Sequence, residues 1–113
     1  MRVLAALAVL AFGCGGQGDC DEAAPPTYEQ DVAPLLARSC LSCHSAAVRG
    51  ANRQGAPREN DYDTYAQATA HASAIVARVS SVSSPMPPRT SSAPPLSRDE
   101  QLLVQRWQRC GAR

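Results

Sequence analysis

Cys40-Leu41-Ser42-Cys43-His44 is the stretch on which the fold of this chain turns. Two thiols three residues apart lie on one side of a helical turn, and the imidazole that follows points elsewhere. Neighbouring side chains diverge, so an adjacent Cys and His are awkward around one small ion. They suit a large planar ligand whose edge and centre are anchored separately. A tetrahedral zinc site needs a further ligand such as His71 or a second Cys pair, and the chain has no second C-x-x-C. A thioredoxin-like redox dithiol needs a flanking βαβ pattern, which is missing. Zinc and a bare dithiol or disulfide stand as the alternatives to a covalently held planar group.

Outward from the motif, the chain looks unable to fill its own interior. Its 113 residues allow one small domain. Residues 1–13 pair a positive start, Met1-Arg2, with an apolar run from Val3 to Phe12 that is too short to span a bilayer. They are expected to be an export signal, with Gly13 preceding a Cys14 that becomes the lipidated first residue. Ala11-Phe12-Gly13-Cys14 resembles the lipobox of bacterial lipoproteins, departing from it in Ala11, where Leu is usual, and in the bulk of Phe12. An ordinary secretory signal, with Cys14 paired or free, is the alternative. From Cys14 onward Leu, Ile and Val total 13, Phe is absent, and 16 further apolar residues are Ala. Side chains of that kind bury too little area to offset the ordering entropy of such a chain. The low net charge of +1 argues against plain disorder. A staple, a prosthetic group, or both are required. All eleven cations are Arg against ten acids, with no basic block, so nucleic acid is not expected as a partner.

The C-x-x-C-H pattern is that of a c-type haem attachment site, and from about Thr27 to Gly111 the chain resembles the class I monohaem cytochromes c. The resemblance implies a small all-α fold of three to four helices around one covalently bound haem c, with long Pro/Gly-rich loops. In that family the residues matching Cys40 and Cys43 carry thioether bonds, and the residue matching His44 is the proximal iron ligand. The distal ligand is a Met from a later loop. Met86, within Ser84-Pro85-Met86-Pro87-Pro88, matches it, and His71 is its rival. Gly55-Ala56-Pro57 resembles the family's turn in which a Pro carbonyl accepts the proximal His N–H. Trp107 matches an aromatic of the last helix that packs near the haem edge. The first helix departs from the family at Leu36, where an aromatic often stands, and at Val32, where Gly is common.

Helix signals in the residues agree with an all-α chain. Thr27-x-x-Gln30 is a capping-box pattern ahead of Val32, Leu35 and Leu36, with Pro34 expected to kink or shorten that helix. Tyr65, Ala68, Ala72, Ile75, Val76 and Val79 recur on one face of a middle helix, capped by Asp63 or Thr64. His71 falls on the margin of that stripe, where a solvated or hydrogen-bonded role is expected. Ser97-x-x-Glu100 opens a last helix carrying Leu103, Val104 and Trp107, with Gly111 placed to stop it. Residues 45–60 have no period and are expected to be loop.

Two cysteines remain, Cys20 and Cys110. In an oxidising compartment they are expected to pair with each other, with free thiols or an intermolecular bond as the alternatives. Residues 14–26 then form a lipidated tether strapped to a domain spanning 27–113. These expectations describe an electron carrier rather than an enzyme: an exported bacterial lipoprotein, periplasmic or on the outer membrane. It is expected to be monomeric and to meet redox partner proteins at the membrane surface. The alternatives are a haem protein with an open or labile sixth position, serving as a diatomic-ligand sensor or redox enzyme subunit, and a non-haem metal-binding lipoprotein.

Overall fold

The structure is a computed structural model that describes Cys20 and residues 22–113; the expected signal segment and Cys14 lie outside the described residues. The described chain is all-α. A π-helical turn, Tyr28–Val32, leads into α1 (Ala33–Ser39); a 3₁₀ turn, Gly50–Arg53, precedes α2 (Tyr65–Ala70), α3 (Ala72–Val79) and α4 (Arg98–Arg109), and no strand occurs among the described residues.

The first helix begins as the sequence predicts, at Thr27, but by a different bond set. Thr27 Oγ1 accepts from the Gln30 N–H at 3.3 Å, while the return bond runs from the Thr27 N–H to Asp31 Oδ2 at 2.8 Å rather than to Gln30. The turn is one residue wider than an α-turn, with the Val32 N–H reaching the Thr27 carbonyl at 3.2 Å, so Asp31 stands where Gln30 is expected to reach. Pro34 has no N–H to give to the Gln30 carbonyl, so the one regular bond ahead of it, from the Asp31 N–H to the Thr27 carbonyl (3.1 Å), is not continued at that position.

The middle segment is two short helices rather than one. Thr64 is the cap, in a reciprocal box with Gln67 (3.2 and 3.1 Å), and Asp63 is engaged elsewhere. At His71 the backbone leaves helical geometry (φ −107°, ψ 9°), with its N–H shared between the Gln67 and Ala68 carbonyls. No Gly or Pro marks this break. The apolar stripe survives it, since Ala68, Ala72, Ile75 and Val79 are all buried, while Tyr65 turns outward.

α4 is the longest helix and organises the rest. Ser97 and Glu100 form the expected capping box. At the other end the Ala112 N–H reaches back to the Trp107 carbonyl at 2.9 Å and the Gly111 N–H to Gln108 at 3.2 Å, a closure that requires the left-handed φ of +88° at Gly111. α1 runs antiparallel to α4. Arg38 pairs bidentately with Glu100 at one end (2.8 and 2.7 Å), and the Tyr28 N–H donates to the Arg113 carbonyl at the other. α3 packs on α4 through Gln105–Ser80 and Gln108–Ser73 hydrogen bonds. Val32 and Leu36, the two departures in the first helix, are buried in one cluster with Val104 and Trp107. Cys20 is disulfide-bonded to Cys110, and a Glu22–Arg106 ion pair adds a second tie between the N-terminal strap and α4. The core is thin: among the described residues its largest fully buried side chains are Trp107, Leu36, Val32 and Val104, joined by Ile75, Val79 and Leu96.

The α1–α4 pair carries a pH prediction. Bonds from Arg38 and from the Ser97 N–H hold the Glu100 carboxyl down at about 2, against an ordinary 4.5. A depressed carboxylate contributes stability that is complete above its unfolded-state value and fades as pH falls through the folded one. The melting temperature should therefore drop between about pH 4.5 and 2, and Glu100→Gln should flatten that part of the profile. Both partners are partly solvated, so added salt should shrink the effect.

Candidate cofactor site

Cys40 caps α1, its N–H donating to the Leu36 carbonyl at 2.8 Å, and its own carbonyl accepts from both Cys43 N–H (3.1 Å) and His44 N–H (2.9 Å). This tight turn holds the five motif residues together. Neither Cys40 nor Cys43 is in a disulfide. Cys40 is buried, and desolvation, followed by the neighbouring Cys43, pushes its thiol up to about 11. The Arg38 guanidinium pulls the other way, but burial outweighs it and the thiol stays protonated. Among the described residues no three His, Cys, Asp or Glu side chains come together as they would around a metal ion, and that includes Cys40, Cys43 and His44.

His44 is fixed by two contacts. Its Nδ1 lies 2.6 Å from the Asn60 carbonyl, and because that oxygen can only accept, Nδ1 carries the proton and Nε2 keeps an available lone pair. One ring face stacks on Tyr62, centroids 4.8 Å apart and planes 18° apart. Burial, then the Cys40 thiol, raises the Tyr62 phenol above its ordinary range, keeping it neutral beside the motif. The expected acceptor, Pro57, does not make the bond to His44. The Pro57 carbonyl instead accepts from Arg53 Nη2 (2.9 Å) and from the Asn60 N–H (3.1 Å), and the turn so formed presents the Asn60 carbonyl to the imidazole.

These groups open onto a cavity of about 400 Å³, within the usual range of roughly 300–1,000 Å³ for small-molecule and cofactor sites. Cys40, Cys43 and His44 form one wall, Pro57 and Asn60 belong to the loop beside it, Ile75 and Val79 of α3 contribute apolar surface, and Met86 with Pro87 and Pro88 closes another side. Met86 is held by its backbone, the N–H donating to the Arg78 carbonyl at 3.1 Å, so its loop is pinned to the end of α3. The cavity thus gathers two thiols, an imidazole with one committed nitrogen, and the sole methionine other than Met1. Such a set can bond covalently to the edge of a planar group through sulfur and approach its centre with nitrogen and thioether donors.

Two candidates fall elsewhere. Trp107 does not line the cavity; it is fully buried, tilted against Tyr28 at 6.5 Å, with its indole N–H donating to the Arg113 carbonyl. It serves the α1–α4 crossing, where the largest side chain is needed to fill the contact. His71, the rival ligand, also lies outside the cavity lining and contacts Tyr62 across 5.6 Å.

Three contributors carry no sequence signal strong enough to single them out. Asn60 acts through its main chain, so its side chain does not advertise the role. Arg53 is one of eleven Arg, and its buried pairing with Asp61 (2.6 Å) is hinted at only by opposite charges eight residues apart. Asp63 receives the Ser45 hydroxyl and the Ala46 N–H, which lower its carboxyl below the ordinary range and tie the residues just after His44 to the start of α2. Searches against protein-family models, curated proteins and solved structures gave no match to this chain.

Proposed function

We propose that the chain is a one-electron carrier of cytochrome c type, with haem c bonded to Cys40 and Cys43 and ligated by His44 and Met86. The observation that carries this reading is the meeting of those four side chains on one cavity in a chain otherwise short of interior. When bound, the haem supplies a reversible iron couple, and a thioether ligand together with burial favours its ferrous form.

The chain's own part is to hold that couple still. The Asn60 carbonyl fixes the tautomer and orientation of His44 and raises its basicity. The flanking prolines and the Arg78 carbonyl limit how far Met86 can move, which keeps rearrangement between oxidation states small. Ile75 and Val79 give the same space an apolar wall. Attachment through Cys14 and docking of a redox protein at the exposed edge near the two cysteines complete the proposal; such encounters are small and transient. No helix of the described residues is long and apolar enough to cross a membrane.

The test is protein exported through a haem-maturation system. A pyridine haemochrome assay should give one c-type haem per chain, and the ferric protein should show a thioether-to-iron charge-transfer band that Met86→Ala abolishes. A wild-type protein that is high-spin and binds carbon monoxide readily contradicts the carrier function and favours a ligand-binding one.

A further inference from the structure

Arg53 lines the cavity yet has nothing left to offer a ligand in it. It is only 5 % exposed, and all five of its N–H donors are committed. Nε donates to the Ala56 carbonyl (3.0 Å), Nη1 to the Ser45 and Val48 carbonyls (2.7 and 3.2 Å), and Nη2 to the Pro57 carbonyl (2.9 Å) and to Asp61 Oδ1 (2.6 Å). A guanidinium used in this way does not serve as an anion contact for a bound group.

The chain positions it ties together are informative. Ser45 directly follows His44, and Asp61 directly follows Asn60, so one rigid fork grips the Ser45 carbonyl and the Asp61 carboxylate, next to both partners of the Nδ1–H···O=C bond. Pro57, the third point, also accepts from the Asn60 N–H. On the other side of the imidazole, the Tyr62 N–H donates to the His44 carbonyl at 2.9 Å. The Asn60 carbonyl has no side chain of its own to aim it, and its place is set by what holds the turn.

We infer that Arg53 is a positioning residue for His44: through Asp61 and four carbonyls it holds the Asn60 carbonyl on Nδ1 and so sets how strongly the imidazole donates. This rests on the haem function proposed above. Lys cannot substitute, because three donors on a flexible stem do not reproduce a planar five-donor fork.

The experiment uses holoprotein and reads the His44 Nδ1–H directly by proton exchange in NMR spectra, alongside the reduction potential. Arg53→Lys should speed exchange of that proton by roughly tenfold, the protection that one lost hydrogen bond carries. The potential should rise, since a less basic imidazole favours the ferrous form. Arg38→Ala, which opens the Arg38–Glu100 pair and touches none of the groups bonded to Arg53, should leave the exchange rate at wild type. If Arg53→Lys yields no holoprotein, Asp61→Asn, which keeps an acceptor oxygen but removes the charge, is read the same way and should also speed exchange. Unchanged exchange in the variant that folds, or equal acceleration in Arg38→Ala, overturns the positioning role. A wild-type chain that gives no haemochrome fails earlier and overturns the haem function instead.

Discussion

Cys40→Ser with Cys43→Ser should release all pigment from the denatured chain and leave a polypeptide that no longer folds cooperatively. The size of the effect follows from the cavity. A cavity of about 400 Å³ left without its filling group deprives Ile75, Val79 and Met86 of packing partners, and a small domain holds only about 5–15 kcal/mol of stability in all. Among the described residues the largest fully buried side chains are Trp107, Leu36, Val32 and Val104, so little else compensates. Single Ser variants should retain one thioether and give reduced holoprotein yield, and His44→Ala should leave any retained haem without its proximal ligand. Holoprotein yields equal to wild type in all of these variants contradict the site.

Cys110→Ser should produce the second large loss. The Cys20–Cys110 bridge spans 90 positions, and closing a loop of that length constrains the unfolded chain by roughly 4–5 kcal/mol. At about 4–8 °C per kcal/mol for a domain of this size, the melting temperature should fall by roughly 16–40 °C. The Glu22–Arg106 pair is half-exposed and holds the strap only weakly on its own. Cys20 should become open to alkylation, and reduction of the wild type should reproduce the drop. An unaltered melt with no new reactive thiol contradicts the contribution assigned to the bridge.

What the sequence made legible was local chemistry. Ser97 with Glu100, and Gly111 after Cys110, are complete cap signals because each role depends on one side chain or on its absence. The cysteine count led to the Cys20–Cys110 pair by the same kind of bookkeeping. The π-helical turn before Pro34 was only half visible: the missing N–H predicts a disturbance but not whether the chain kinks, shortens or widens. The break at His71 had no breaker residue to announce it. Within the site, Cys40, Cys43, His44 and Met86 are marked by rare side chains, whereas the acceptor for His44 is a backbone carbonyl any residue can supply, so the Pro57 that the resemblance implies is replaced by Asn60 at the other end of the same turn. Arg53 was hidden because a buried guanidinium satisfied by carbonyls leaves no periodicity. The resemblance puts Trp107 at the cofactor edge, whereas it is buried outside the cavity lining, since its size suits a helix crossing as well as a cofactor edge.

The most direct test of the central claim is the mass of the exported, purified chain under denaturing conditions, after production in a host able to attach haem. The proposed haem function predicts a mass increased by one haem that stays with the polypeptide when it is unfolded, and loss of that increment in the Cys40→Ser, Cys43→Ser double variant. A colourless chain of unmodified mass at both cysteines, recovered from that host fully folded and melting cooperatively, contradicts it.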